Sequence, residues 1–402
     1  MGIWGKNILQ KIKHLIIVFH IFYNLIMTPK KFLFVCFTLL CPLFIQAETF
    51  DFHPVISLAG YNSSPTNTRS KNYGQGTLIL PLWFYFGQNF SVAAEYFFAY
   101  DYFDKEKDTY DKLNRANFIF NTDNFTLKAG RDFLDIGLNS IIYFGHYTDE
   151  DLRKPTYFDG AFASFDFAKY FNITAFGGTF DKKDFYGATL GTSFIKGFYL
   201  LVKENNLDLS TFGAKVNVEY EIFALDLIVA FNNGTERKEI LGLAFEEKYK
   251  GKMFSGDIKF KKQREDFDSE FAFGVEYLSP NKEDTFGFRP FATYLDRGFI
   301  FRNLTEELET LTYKLDLQIS PKIIKDLSFA VNIYNFSSTD KRKTSRDIAS
   351  EIDLILNYKL EHFSAKFIYG YLQAQNGFSD YATGFEDKPS INKLGLILTY
   401  QF

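Results

Sequence analysis

Lys393-Leu-Gly395-Leu-Ile-Leu398-Thr-Tyr400-Gln-Phe402, the last ten residues of the chain, carry the reading that decides the fold. Leu394, Leu396, Leu398, Tyr400 and Phe402 share one parity, and Lys393, Gly395, Ile397, Thr399 and Gln401 share the other. Successive strand side chains point to opposite faces, so this alternation predicts a strand with one apolar face.

The pattern recurs upstream. Tyr313, Leu315, Leu317 and Ile319 interleave with Lys314, Asp316 and Gln318. Ile352, Leu354, Leu356 and Tyr358 interleave with Asp353, Ile355 and Asn357, and Phe363 to Tyr371 interleave with Ser364, Lys366 and Gly370. Phe271, Phe273, Val275 and Tyr277 alternate with Glu270, Gly274 and Glu276; Phe212 to Val218 alternate with Gly213, Lys215, Asn217 and Glu219. A soluble sandwich turns such apolar faces inward. A membrane barrel turns them to lipid and lines a wet lumen with the charged parity.

Composition narrows this choice. Of 402 residues, 50 are Phe and 25 Tyr, an aromatic share of 19% that suits the interfacial girdles of a membrane barrel. Mean hydropathy is −0.14, too low for a helical membrane bundle, and the net charge of −4 excludes a strongly basic nucleic-acid binder. No run after residue 47 is long enough for a membrane helix; Leu78 to Phe86 is the most apolar, and Pro81 interrupts it.

The first 47 residues read as a leader. Met27-Thr-Pro-Lys30-Lys31 is a basic start, Phe32 to Ile45 an apolar stretch, and Ile45-Gln-Ala47 a small-residue cleavage site. Residues 27–47 are therefore expected to be a secretory signal peptide, and residues 1–26 a mis-assigned upstream start. Both cysteines, Cys36 and Cys41, lie in this segment, so the exported part, residues 48–402, has neither disulfide nor thiolate metal site. Five of the 45 basic residues and none of the 49 acidic ones fall in 1–47, which leaves the remainder near −9.

With these observations the C-terminus resembles the assembly signal of bacterial outer-membrane β-barrels, a polar-x-Gly-x-x-apolar-x-aromatic strand. Lys393, Gly395, Leu398 and Tyr400 fill its positions and Phe402 closes the chain. The resemblance implies an all-β, transmembrane, antiparallel up-and-down barrel of a Gram-negative porin. About 18 strands are expected, in a range of 16 to 20, with no plug domain and both termini on the periplasmic side. Tight turns are expected at Gly87–Asn89, 121–124, Lys196-Gly197, Tyr220-Glu221, 249–252 and 359–361. Longer outer loops are expected at 62–73, 101–111, 133–154, 232–238, 296–309, 337–348 and 374–390.

The loop 133–154 follows the fifth strand and is half apolar, which resembles the third loop of general porins, folded into the lumen to narrow it. The alternative is a surface loop packed on the rim. Gly130-Arg131-Asp132 followed by Phe158-Asp159-Gly160 also resembles, remotely, a Gly-Arg…Phe-Asp-Gly pattern of alginate-export porins, although the Arg-Gln usual there is Arg131-Asp132 here. Asp149, Glu150 and Asp151 are the expected constriction acids. Arg115, Lys128, Arg131, Lys215, Lys314, Lys366 and Lys393 are the expected pore-lining bases, with Glu219, Asp257, Glu270, Glu276 and Asp316 as their acidic counterparts. Opposed charges of this kind orient dipolar solutes and select ions, with a slight cation preference from the net charge.

Catalytic signatures are missing. Three histidines, His53, His146 and His362, are scattered along the exported part, and no Gly-x-Ser-x-Gly or His-Glu-x-x-His motif occurs. No catalytic residue, metal or cofactor is expected. The function expected is passive diffusion of ions and small hydrophilic solutes. A substrate-specific or hydrophobic-solute transporter and a surface adhesin are the alternatives. The resemblance further implies outer-membrane lipid and lipopolysaccharide around the barrel, the barrel assembly machinery acting on the last strand, and a homotrimer; no nucleic acid is expected.

Overall fold

The structure is a computed structural model, described over residues 49–65, 71–101, 109–138, 141–142, 157–167, 171–180, 182–240, 243–281, 287–289, 300–301, 309–340, 345–380 and 389–402. The leader and its cleavage site, and residues 149–151, lie outside the described residues. The chain separates into two compact units, residues 1–50 with 84–88 and residues 51–83 with 89–402. The second is a closed β-barrel.

Twenty strands are described. The first ten are β1 (Thr49–Phe52), β2 (Val55–Pro65), β3 (Lys71–Phe86), β4 (Phe90–Asp101), β5 (Thr109–Asn121), β6 (Phe125–Asp132), β7 (Phe158–Phe167), β8 (Phe171–Phe180), β9 (Lys183–Gly191) and β10 (Ile195–Glu204). They continue as β11 (Leu207–Tyr220), β12 (Phe223–Ile240), β13 (Leu243–Tyr249), β14 (Lys252–Gln263) and β15 (Phe267–Leu278). The last five are β16 (Thr310–Pro321), β17 (Leu327–Ser338), β18 (Asp347–Leu360), β19 (Phe363–Ala374) and β20 (Ser390–Gln401).

Two of these lie outside the ring of 18. β1 is a four-residue N-terminal strand, and β13 folds back on the far end of β12, from Gly234↔Tyr249 to Ile240↔Leu243. β12 then pairs directly with β14, from Phe223↔Phe260 to Phe231↔Lys252. Closure comes from β2 against β20, which are antiparallel from Val55↔Gln401 to Pro65↔Ile391. The pairing gives the N-terminal and C-terminal strands of the ring a partner each, so neither is an open edge.

The registers convert sequence parity into two faces. Phe212 lies opposite Phe231 on the outside, their ring centroids 5.6 Å apart. Phe271, Phe273, Leu317, Ile352, Leu354, Phe367 and Leu396 are exposed on the same face. The opposite parity carries one row from Ser63 through Lys393, Gly370, Asp353, Asn332 and Asp316 to Ala272. This is polar-in, apolar-out alternation, the arrangement a lipid-embedded barrel requires.

Two expected turns fall elsewhere. Lys196 and Gly197 are inside β10, and the reversal occurs at residues 192–194, where Thr192 N–H donates to the Ile195 carbonyl (2.7 Å). Residues 249–252 join β13 to β14 at the end opposite the tight turns, and 232–238 belongs to the long β12 strand. The readings of 249–252 and 232–238 fail for one reason: β12 overshoots the ring, so a hairpin extension reads as two extra crossings.

Leu396 faces outward between Gly60 of β2 and Phe367 of β19. Replacing it, Leu396→Lys, is expected to lower stability by about 2–4 kcal/mol, the cost of a lysine near the bilayer midplane. Urea unfolding of the chain refolded into lipid vesicles measures this. An unchanged midpoint contradicts the outward assignment.

Candidate functional site

The inward face carries charge on most strands. The registers put Lys215, Glu219, Asp257, Glu270, Glu276, Lys314, Asp316, Lys366 and Lys393 on it. Most lie in close pairs. Lys215 Nζ is 2.7 Å from Asp226, Lys261 Nζ 2.8 Å from Glu219, Lys314 Nζ 2.8 Å from Asp316 and Lys259 Nζ 3.6 Å from Glu270. Half-exposed pairs such as these contribute little stability but leave the wall hydrated and nearly neutral locally.

One sector breaks the polar-in rule. Phe176, Phe185, Phe198, Leu200, Val202 and Leu209 face inward on β8 to β11 and are buried. What covers them is the start of the connection between β6 and β7. Leu134, Ile136, Leu138, Ile141 and Ile142 of that segment belong to the same cluster, each no more than 5% exposed. Each buried aliphatic of this kind contributes roughly 1.5–3 kcal/mol.

Two wall lysines tie the segment down by its backbone. Lys215 Nζ donates to the Gly137 carbonyl (3.0 Å) and Lys196 Nζ to that of Ile136 (3.5 Å). Gly137 takes φ +71°, with its N–H donated to Asp135 Oδ1 (2.8 Å), which turns the chain back along the wall. The segment lies inside the barrel, not on its rim.

At the root of this segment stands a cluster built by β3, β5 and β6. Arg115 Nε donates to Asp132 Oδ1 (2.7 Å), and Lys128 Nζ lies 3.4 Å from Asp132 Oδ2. Asp132 Oδ1 also accepts the Phe133 N–H (2.8 Å). The Arg115 guanidinium lies 5.2 Å from the Trp83 ring centroid and 5.0 Å from that of Phe133. Together these contacts hold the strand end and the loop start in one geometry.

Arg131 departs from its expected place in the pore. It sits one residue from Asp132, so it points to the outer face, opposite Asp159 in the register. There its guanidinium makes a two-pronged pair with that carboxylate (Nε 2.7 Å, Nη2 2.9 Å) and donates to the Leu113 carbonyl (3.0 Å). The Tyr157 ring lies 4.1 Å from it. The Gly-Arg…Phe-Asp-Gly resemblance thus corresponds to a cross-strand latch on the outside of the barrel, not to a pore charge.

A second inward contact was not anticipated from the sequence. Residues 279–309 connect β15 to β16, well beyond the 296–309 expected as loop. Within them, Ile300 and Phe301 are buried against Tyr334, Phe336 and Ile348, and the Phe301 and Phe336 rings stack at 3.9 Å. Their N–H groups both donate to the fully buried Glu351 carboxylate, at 2.5 and 2.9 Å. The same connection reaches β12, where Asn232 Nδ2 donates to the Arg289 carbonyl (2.9 Å). Arg289 also donates to Tyr249 Oη (2.9 Å), which donates to Glu236 (2.5 Å). Burial and the Glu236 carboxylate push the Tyr249 phenol up to about 12, so it remains a donor at any physiological pH.

The signal for the first insertion is present in the sequence. Phe198-Tyr-Leu-Leu-Val202 is apolar on both parities, which an open lumen would not tolerate. Glu351 carries no such signal, because a carboxylate on a polar parity reads the same whether solvated or covered.

Comparison with solved structures agrees with this architecture. The chain is similar to Pseudomonas aeruginosa OccK9 (OpdG), with a TM-score of 0.60 and 12% identity over 89% of this chain and 100% of that one. It is likewise similar to Acinetobacter baumannii OccAB1 (0.60, 10% identity, 89% and 97%) and to P. aeruginosa OccK11 (OpdR) (0.57, 14%, 88% and 96%). The likeness at this identity is one of fold. No protein-family model matches the chain, and neither does any curated protein sequence.

Leu138→Asp places a charge in the apolar contact that seats the first insertion. Single-channel conductance is expected to rise while heat-modifiable gel mobility still reports a closed barrel; unchanged conductance contradicts a narrowing role. Glu351→Ala strands two buried N–H groups at about 1–3 kcal/mol each. Faster proteolysis between β15 and β16 is the expected readout, and wild-type rates would remove Glu351 as the anchor.

Proposed function

We propose that the chain is a porin of the bacterial outer membrane, a water-filled channel for passive diffusion of ions and small hydrophilic solutes. One observation carries the reading: a closed ring whose outer parity is apolar and whose inner parity is charged, narrowed by chain segments seated on the inner wall. A solute crossing such a barrel meets ion pairs and wall amides instead of hydrocarbon. The likeness to Occ/Opd barrels supports the same reading.

In this reading, outer-membrane lipid and lipopolysaccharide surround the aromatic and aliphatic outer face. The barrel assembly machinery recognises the Lys393, Gly395, Leu398, Tyr400 and Phe402 strand. Three copies associate as a homotrimer, and residues 27–47 are removed on export, residues 1–26 lying upstream of the true start. Asp149, Glu150 and Asp151 contribute acidity at the narrowing, which with the net negative charge favours cations.

Planar-bilayer recording of refolded 48–402 tests the reading. Stable, large current steps are expected, with a reversal potential of cation-selective sign in a salt gradient. Anion-selective reversal rejects the selectivity; a folded barrel that passes no current rejects the open channel.

A further inference from the structure

Behind the root of the first insertion lies a cavity of about 240 Å³, walled by β5, β6 and β7 on one side and residues 133–135 on the other. Asn117 lines it. The residue is only 2% exposed, and neither its Nδ2 nor its Oδ1 has a hydrogen-bond partner among the described residues. A buried amide is normally satisfied at both ends, so an amide left open in a cavity marks a place where something with both a donor and an acceptor belongs.

The room is made by the neighbours of Asn117. Directly across the register stand Ala93 on β4 and Gly130 on β6. Gly130 holds φ +121°, and a Cβ there would meet the Ala116 carbonyl oxygen at 2.3 Å and the Asn117 Cα at 3.0 Å. Any side chain at 130 would therefore collide with β5. The glycine also leaves the cavity wall beside Asn117 without a side chain at this position.

The charges on the lining cancel. Arg115 and Lys128 face Asp132 and Asp135, two of each sign. Asp132 is already engaged by Arg115, Lys128 and the Phe133 N–H, so an incoming carboxylate would compete with a built-in one. Arg115 has five donors and gives one to Asp132. What the cavity offers is a mixture of donors and acceptors beside the aromatic walls of Phe133, Phe158 and Phe162. Hydroxyl groups, which donate and accept, suit the first; the C–H faces of a ring suit the second.

We propose that this cavity is a binding subsite for an uncharged, hydroxyl-rich solute of about one sugar unit, with Asn117 as its principal polar contact. The proposal rests on the channel reading, since it places the subsite on the path of a diffusing solute. Glucose, glucuronate and glucosamine share one ring and differ in charge, which makes them the probes.

Current through the refolded barrel is recorded with each sugar, and binding is measured separately by calorimetry in detergent. Glucose is expected to reduce the current at a concentration about tenfold below that needed for glucuronate or glucosamine. Asn117→Leu, in barrels whose heat-modifiable mobility shows closure, is expected to raise that concentration about tenfold. If that variant does not fold, Asn117→Ser is read the same way. Tighter binding of either charged sugar, indifference of glucose to Asn117, or no glucose effect in current or heat overturns the proposal. The last outcome would mean a cavity filled with water only. Heat of glucose binding without any current would instead overturn the channel reading and leave the subsite standing.

Discussion

The structure depends on one constraint: inside a bilayer there is no water to satisfy a backbone N–H or C=O, so every strand needs two partners. Eighteen strands meet it only because Val55–Pro65 of β2 finds Ile391–Gln401 of β20 across the whole length of both. The remaining architecture follows. Closure forces alternate residues to opposite sides, which requires apolar side chains against lipid and permits polar ones within. The exposed Phe, Leu and Ile residues outside and the ion pairs inside are consequences of that one geometric demand.

The lumen obeys a second logic. Its apolar sector on β8 to β11 would be costly facing water, and Leu134, Ile136, Leu138, Ile141 and Ile142 remove that cost by covering it. Insertion is thus a hydrophobic packing event inside an otherwise wet channel, finished by lysines that cap the loop carbonyls. The connection between β15 and β16 uses different means: an aromatic stack and a buried carboxylate receiving two backbone N–H groups. Two segments are seated by two kinds of interaction, so each can be loosened independently.

Charge in the wall is largely paired where it stands. Asp226, Glu219, Asp316 and Glu270 each lie within reach of a lysine, and Asp132 gathers two cations. A solute therefore meets local dipoles and a few open hydrogen-bonding groups more than long stretches of one sign. Among the described residues Asn114 and Asn117 both keep open amides, and of the two it is Asn117 that lines a cavity.

Much of this was legible in residue order alone. Alternation along 393–402, 313–319 and 352–358 determined strand, face and lumen parity, because a strand's side-chain period is fixed at two residues irrespective of its neighbours. The same arithmetic placed Lys215, Asp257, Lys314 and Lys366 inward. Arg131 does not belong with them: it stands three residues from Lys128 in an unbroken register, so the alternation that turns Lys128 inward turns Arg131 outward. The β12–β13 extension, the Glu351 anchor and the Asn117 cavity were decided by tertiary structure. Each depends on which backbone or connection comes to lie opposite or on top of a strand, and local periodicity holds no information about that.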